Sequence, residues 1–207
     1  VEKIKKHVTK SRVFVIGNGP SLSHVNIKEL YEEDVITMNY FNRHHDSSRI
    51  NAVCHIAADS GKDLDKTDNK YFEIFDAFAK SYLLHSDARC ILERSKKMQS
   101  IGSICYFMPA ISTLDQYSGN KFDFFKRIPR PRNSVQLAIM LAMYLGYKKI
   151  YLLGVDEDQL SNKLQVNKHF YAESEGEIKD NTSPMSYLDR LIGKTKTFKG
   201  FSVIKKV

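Results

Sequence analysis

The run VFVIGNGPSL sets four apolar residues, Val13–Ile16, against Gly17, Asn18, Gly19, Pro20 and Ser21. Val13–Ile16 is β-branched and aromatic, which suits a buried strand. Gly17 and Gly19 permit unusual backbone angles and let a ligand come close. Pro20 suits the first turn of a helix, and Ser21 can offer its hydroxyl to free N–H groups there. A strand, a glycine turn and a helix start together attract phosphate. A tight turn without a ligand uses the same residues equally well. A second place is RPRNS, where Arg130, Arg132, Asn133 and Ser134 put two guanidinium groups and two capping side chains at one helix start. Positive groups there oppose the helix dipole, so a bound anion would compensate them unless both arginines face water.

Two further places could act on a bound substrate. KIYLLGVDED is an apolar strand running into Asp156, Glu157 and Asp158, and two carboxylates so spaced could hold Mg²⁺ or Mn²⁺ against a diphosphate. Short acidic patterns of this kind also arise by chance on loops. In KHFYAESEG, His169 is a candidate general base, since histidine as a residue type suits proton transfer at neutral pH. Tyr171 and Lys168 beside it could stabilise a phosphate. The competing reading is a surface histidine in a loop. His7, His24, His44, His45, His55 and His85 show no metal spacing, and the adjacent His44 and His45 would diverge on a strand.

The elements that must position these residues alternate. Strands are expected at Val13–Ile16, Val35–Met38, Ala52–Ile56, Tyr82–Leu84, Ile104–Phe107 and Ile150–Leu153, with helices over about 21–32, 69–79, 88–98 and 134–145. Alternation over one domain implies an α/β fold with a parallel sheet and helices on both faces. In such sheets ligands sit beyond the carboxyl ends of the strands, where strand order reverses. The helix over 134–145 is apolar nearly all round and should be buried, with Gly146 closing it. Residues 59–70 and 112–127 read as loops. Residues 156–185 are polar with weak periodicity, and a loop that long suits a lid over the same sheet edge. TFKGFSVIKKV reads as the beginning of a helix with nothing after it to pack against, which suggests a truncated C-terminus. Val1 in place of Met suggests a trimmed start.

The length, 207 residues, is enough for one domain with a substantial core, and 42% of them are hydrophobic. No apolar run reaches the roughly 18 residues of a membrane span, and no signal peptide is recognisable. Cys54, Cys90 and Cys105 lack CxxC spacing and read as free thiols in a reducing compartment. The net charge of +8 is concentrated at the ends. Residues 1–12 hold five basic residues against one acid, and residues 190–207 hold six with none. Residues 1–11 therefore read as a basic N-terminal extension to a domain over 12–207. A near-neutral body argues against a nucleic-acid groove. The basic ends are solvated tails or loose contacts with anionic lipid, each charge then contributing about 1 kcal/mol.

GNGPSL, a strand ending at Asn39, and an apolar helix leading through LGYKKIYLLGVD together resemble the bacterial sialyltransferases of glycosyltransferase family 42. The resemblance lies in two blocks, 12–41 and 130–156, about half of the chain. GNGPSL alone also resembles flagellin-modifying proteins and archaeal pterin diphosphokinases. The resemblance implies a single Rossmann-like domain, a GT-A-like variant, with a lid. It further implies metal-independent, inverting transfer of sialic acid, or of a related sugar such as Kdo, from a CMP-sugar. The acceptor would be a cell-surface glycan or glycolipid, in lipopolysaccharide or capsule biosynthesis. By position, Gly17, Asn18, Gly19, Ser21 and Asn39 would bind the nucleotide and donor, and Asn133 and Ser134 would lie near the donor's carboxylate. Arg132 would add positive charge, Asp156 would fall within the donor site, and His169 would be the base with Tyr171 beside it.

Asp158 stands where the family has a tyrosine, so a relative with a changed donor or acceptor is expected. The same resemblance implies a cytoplasmic protein, peripheral on the inner membrane, that can form a homo-oligomer and binds no nucleic acid. Other chemistries remain open: a metal-dependent transferase using a nucleoside diphosphate sugar through Asp156 and Asp158, a pterin-diphosphokinase-like phosphotransferase, or a nucleotide-binding module without catalysis.

Overall fold

Val13 to Ile16 form the strand their branching favours, β1 (Arg12–Ile16). The computed structural model describes residues 1–58, 79–89, 92, 103–156, 169–171 and 187–205, without the side chains of 187–191 and 193. β1 lies between β2 (Val35–Met38) and β7 (Lys149–Leu153), parallel to both. β3 (Cys54–Ala57), β4 (Ser81–His85), β5 (Ser103–Thr113) and β6 (Arg127–Arg130) continue beyond β2. The result is a parallel seven-stranded sheet of order β6-β5-β4-β3-β2-β1-β7 among the described residues. Strand addition runs one way from β1 to β6, then jumps to the other side of β1 for β7. The reversal therefore falls between β1 and β7, at the end of the glycine turn.

Alternation along the strands sends Val13, Val15, Ile36 and Met38 to one face of the sheet and Ile16 and Val35 to the other. The first face packs on two helices, α2 (Ser134–Leu145) and α3 (Tyr187–Ile204). α2 is buried along most of its surface, as its all-round apolar sequence requires, and ends at Gly146 with φ 89°. α3 starts ten residues before TFKG and is packed rather than unsupported. Its Gly200 lies against Gln136 of α2, whose Nε2 donates to the Thr197 carbonyl at 2.8 Å, and its Ile204 enters the core. The N-terminal segment is also part of this layer. Ile4, in the single turn α1 (Glu2–Lys5), is fully buried.

The Asp34 carboxylate accepts from the Thr9 and Lys10 amides, the Thr9 hydroxyl and the Tyr147 hydroxyl. Burial alone would raise the Asp34 pKa, but these hydrogen bonds outweigh it and hold the group below its usual value. Residues 1–11 are thus sewn to the sheet instead of extending from it.

Several expectations need correcting. The helix expected over 21–32 is two 3₁₀ turns, Pro20–His24 and Ile27–Leu30. Ser, His, Val and Asn in SLSHVN are weak helix formers, and short 3₁₀ pieces satisfy the chain there. Residues 112–127 are not all loop: Thr113 ends β5, a capped 3₁₀ turn covers Leu114–Gln116, and Arg127 opens β6. Pro129 hides β6 from a sequence reading, yet an edge strand tolerates it. Ala52 lies outside β3 and makes an isolated bridge to Ala79. The helix expected over 69–79, Cys90, Lys168, Asp158 and nearly all of the lid over 156–185 lie outside the described residues, as does most of the helix over 88–98. No described helix is long and apolar enough to cross a membrane.

Candidate functional site

The glycine turn is shaped by the chain's own neighbour. The Gly17 amide donates to the Leu153 carbonyl and the Gly19 amide to the Gly154 carbonyl, each at 2.8 Å. A Cβ on Gly17 would overlap the Gly154 carbonyl oxygen, and one on Gly19 would overlap the Asp156 carboxylate. Gly154 itself takes φ 62°, a conformation glycine adopts without strain. Two loops therefore cross at backbone-to-backbone distance, where side chains do not fit. The Ser21 amide is also taken, donating to Asp156 Oδ2 at 2.9 Å. The 3₁₀ turn after Pro20 is too short to carry the dipole of a full helix, and its first free amide faces a carboxylate. A phosphate at this turn would have to displace Asp156. The nucleotide-site role expected for Gly17, Gly19 and Ser21 thus meets a turn that is already internally bonded.

Asn18 and Asn39 are different. Asn18 is 9% exposed, its Nδ2 donates to the Met38 carbonyl at 3.2 Å, and its Oδ1 is buried with no hydrogen-bond partner among the described residues. Next to Met38, Asn39 takes φ 50°, the only non-glycine positive φ among the described residues. Asparagine tolerates this left-handed conformation better than most residues. Asn39 Oδ1 accepts from the Ser134 hydroxyl at 3.3 Å, so residues 95 apart in sequence meet at the strand ends. Asn133 caps α2, its Oδ1 accepting from the Gln136 amide at 2.9 Å. Gln136 Oε1 in turn accepts from the Arg132 amide at 2.8 Å, which fixes the backbone of RPRNS.

Beneath Asn39, His55 is fully buried. Its Nδ1 shares a 2.8 Å hydrogen bond with the Thr37 hydroxyl, and its Nε2 has no hydrogen-bond partner of normal geometry among the described residues. Burial pushes its pKa down to about 4, slightly offset by the Asn39 backbone nearby.

His169 and Tyr171 reach the same edge. The Phe170 amide donates to the Asn18 carbonyl at 3.0 Å, laying residues 169–171 across the end of β1. The His169 and Tyr171 rings stack with centroids 5.0 Å apart, and the Arg43 guanidinium covers Tyr171 at 4.7 Å and Tyr40 at 4.3 Å. Behind them a cleft of about 350 Å³ is bordered by Tyr171, Phe170, Arg43 and His44 to Asp46. His44 and His45 do not diverge as expected. Their rings stack at 4.4 Å, and with Asp46 they offer three ligand atoms within 4.8 Å of one another, a grouping that could hold a cation. His44 Nδ1, however, already accepts from the Asp46 amide at 3.2 Å.

A larger cleft of about 640 Å³ opens on the far side of Ser134. Arg132, Asn133 and Ser134 form its near wall, β6 supplies Arg127 and Arg130, and His85 and Asp87 follow from the end of β4. Arg130 thus projects from a strand and not from the helix start. Arg132 lies 3.6 Å from Asp115. Burial would raise the Asp115 pKa, but the Thr113 hydroxyl, with Arg132 and Lys196 nearby, holds it below its usual value.

The structure therefore gathers Asn18, Asn39 and Ser134 around one point, with His169 and Tyr171 beside them and Asn133 and Arg132 leading away. Gly17, Gly19, Ser21 and Asp156 form the turn that supports this point. His55 and Arg127 were missed in the sequence. His55 is one of seven histidines with no distinguishing neighbour, and Arg127 sat in an expected loop.

No protein-family description matches this chain, and no curated protein matches it either. Among solved structures, it is similar to the sialyltransferase CST-II in complex with trisaccharide acceptor and CMP, at 17% identity and TM-score 0.48, over 95% of this chain and 77% of that one. It is also similar to the sialyltransferase CstII from Campylobacter jejuni in complex with a substrate analogue, cytidine-5'-monophosphate, at 17% identity and TM-score 0.47, over 95% and 76%. At this level of likeness, the chemistry has to be argued from this chain's own side chains.

Proposed function

We propose that the protein is an inverting glycosyltransferase that takes a sialic acid-like sugar or Kdo from a CMP-sugar and passes it to a cell-surface glycan or glycolipid. The observation that carries the reading is Asn18 Oδ1, a buried acceptor without a partner among the described residues, set beside the left-handed Asn39 and the Ser134 hydroxyl. An unsatisfied buried polar group costs about 1–3 kcal/mol, and a ligand donor removes that cost. The amine of cytosine and the ribose hydroxyls are such donors. The motif order from GNGPSL to LGYKKIYLLGVD supports the same reading.

In this scheme Asn18, Asn39, Asn133 and Ser134 hold the donor, and Arg132 faces its negative charge. His169 takes the proton of the acceptor hydroxyl as that oxygen attacks the anomeric carbon. The bond from that carbon to the phosphate oxygen breaks, and CMP leaves with the electron pair. Tyr171 donates a hydrogen bond to the departing phosphate. Asp156 organises the glycine turn through the Ser21 amide. That engagement favours metal-independent transfer over a metal held by Asp156 and Asp158. Exposed lysines at both ends of the chain would keep the protein on the cytoplasmic side of the inner membrane.

The test is thermal stabilisation by CMP, CDP, UDP, GDP, ADP and ATP, each with EDTA and with Mn²⁺. A ligand at 100 times its Kd stabilises by about 2.7 kcal/mol, a readable shift. A shift with CMP that survives EDTA is the expected result. A shift confined to UDP or GDP with Mn²⁺ would move the chemistry to the two aspartates, and one confined to ATP would indicate a phosphotransferase.

A further inference from the structure

The cleft beyond Ser134 brings together more positive charge than the donor requires. Arg127 and Arg130 are both exposed along its β6 wall, and Arg132 stands at its mouth. Of the carboxylates nearby, Asp115 lies 3.6 Å from Arg132, and Asp87 is tied to His85 through its own amide, which donates to His85 Nδ1 at 3.2 Å. Among the described residues no carboxylate pairs with Arg127 or Arg130. The N-terminal end of α2, a twelve-residue helix, opens on the same cleft and adds its own positive potential. Guanidinium groups gathered without counter-charges repel one another. They also present planar donor forks matched to phosphate and carboxylate oxygens. β5 adds apolar lining through Pro109 and the 47%-exposed Met108. A ligand that fits both surfaces has an oxyanion on one side and an apolar ring face on the other. A sugar ring bearing a phosphate or a carboxylate has that form.

We propose that this cleft is the acceptor side of the site and that Arg127 and Arg130 seat an anionic sugar of the acceptor. The assignment to an acceptor rests on the transferase reading above, whereas the binding of an anionic sugar does not. The probes are glucose 6-phosphate, glucuronate and glucose. Each is titrated by calorimetry into the wild-type protein and the Arg127→Gln/Arg130→Gln variant, without and with saturating CMP.

One or both charged sugars should bind the wild-type protein, and glucose should not. Loss of two charge-assisted contacts should weaken binding about tenfold or more. Saturating CMP should leave that binding in place. Tighter binding of glucose 6-phosphate assigns a phosphate, and tighter binding of glucuronate assigns a carboxylate. Equal binding of glucose, no binding of either charged sugar, unchanged binding in the variant, or displacement by CMP would each overturn the proposal. The variant's melting temperature should match the wild type, because both side chains are exposed. If CMP itself does not bind while a charged sugar does, the transferase reading fails and the anionic-sugar site stands.

Discussion

Single residues at this sheet edge differ in what they can tolerate. Gly17 touches a backbone carbonyl, which cannot swing aside as a flexible side chain does. Gly17→Ala should therefore cost at least the 1–3 kcal/mol typical of overpacking, about 2–4 °C per kcal/mol in a chain of this size, measurable by calorimetry. His169 meets no such backbone overlap: it is half-buried and stacked on Tyr171. His169→Ala should leave the fold and CMP binding unchanged but lower sugar transfer by about 10²–10⁴, the usual contribution of a general base. Single-turnover transfer from a CMP-sugar measures this, and an unchanged rate would remove His169 from the mechanism. These residue types were legible in the sequence, but their partners were not. Nothing local to GNGPS shows that Asp156, 135 positions from Ser21, would take the Ser21 amide.

At the scale of elements, β2 and β3 carry a pH dependence through His55. Its imidazole stays neutral in the fold, with a pKa of about 4 against an ordinary value of 6.5. As pH falls below 6.5, the unfolded chain takes up a proton that the folded one refuses. The stability that a neutral, buried His55 contributes should be full above 6.5, decline between 6.5 and 4, and level off below that, a loss of about 3 kcal/mol over the window. Urea midpoints across that range should slope less in His55→Gln than in the wild type. An identical slope would show that another group dominates, His44 being the other buried histidine whose pKa burial lowers.

Elements were readable where composition was one-sided. β1, β2 and β7 are nearly continuous apolar runs, and α2 matched its expected bounds of 134–145. β6 was not readable, because Arg-Ile-Pro-Arg offers only two inward residues, one of them a proline, and its strand character comes from pairing with β5. The expected helix after Pro20 failed for the opposite reason. Its apolar spacing suited either structure, and the weak helix formers of SLSHVN settle as two 3₁₀ turns, with Leu22, Ile27 and Leu30 packed beside Val35 and Phe41.

Across the whole molecule, the parallel sheet and the place of the site followed from the alternation of strands and helices, whereas the seating of both chain ends did not. Ile4 and Ile204 enter one core, so Lys3, Lys5, Lys196 and Lys199 are carried on folded elements. β1 has a further property that belongs to the chain as it is being made. Its first partner, β2, follows within about twenty residues, but its other partner, β7, emerges only after every other strand of the sheet. Until then a nascent chain holds an assembled sheet whose growing side is bare along β1. The amides of Gly17 and Gly19 lack the carbonyls of Leu153 and Gly154 throughout that interval. Among the described strands, the candidate site's first loop is therefore made with the first strand and closed only by the last, and that open strand edge is where a holding chaperone, or a second nascent copy, would attach.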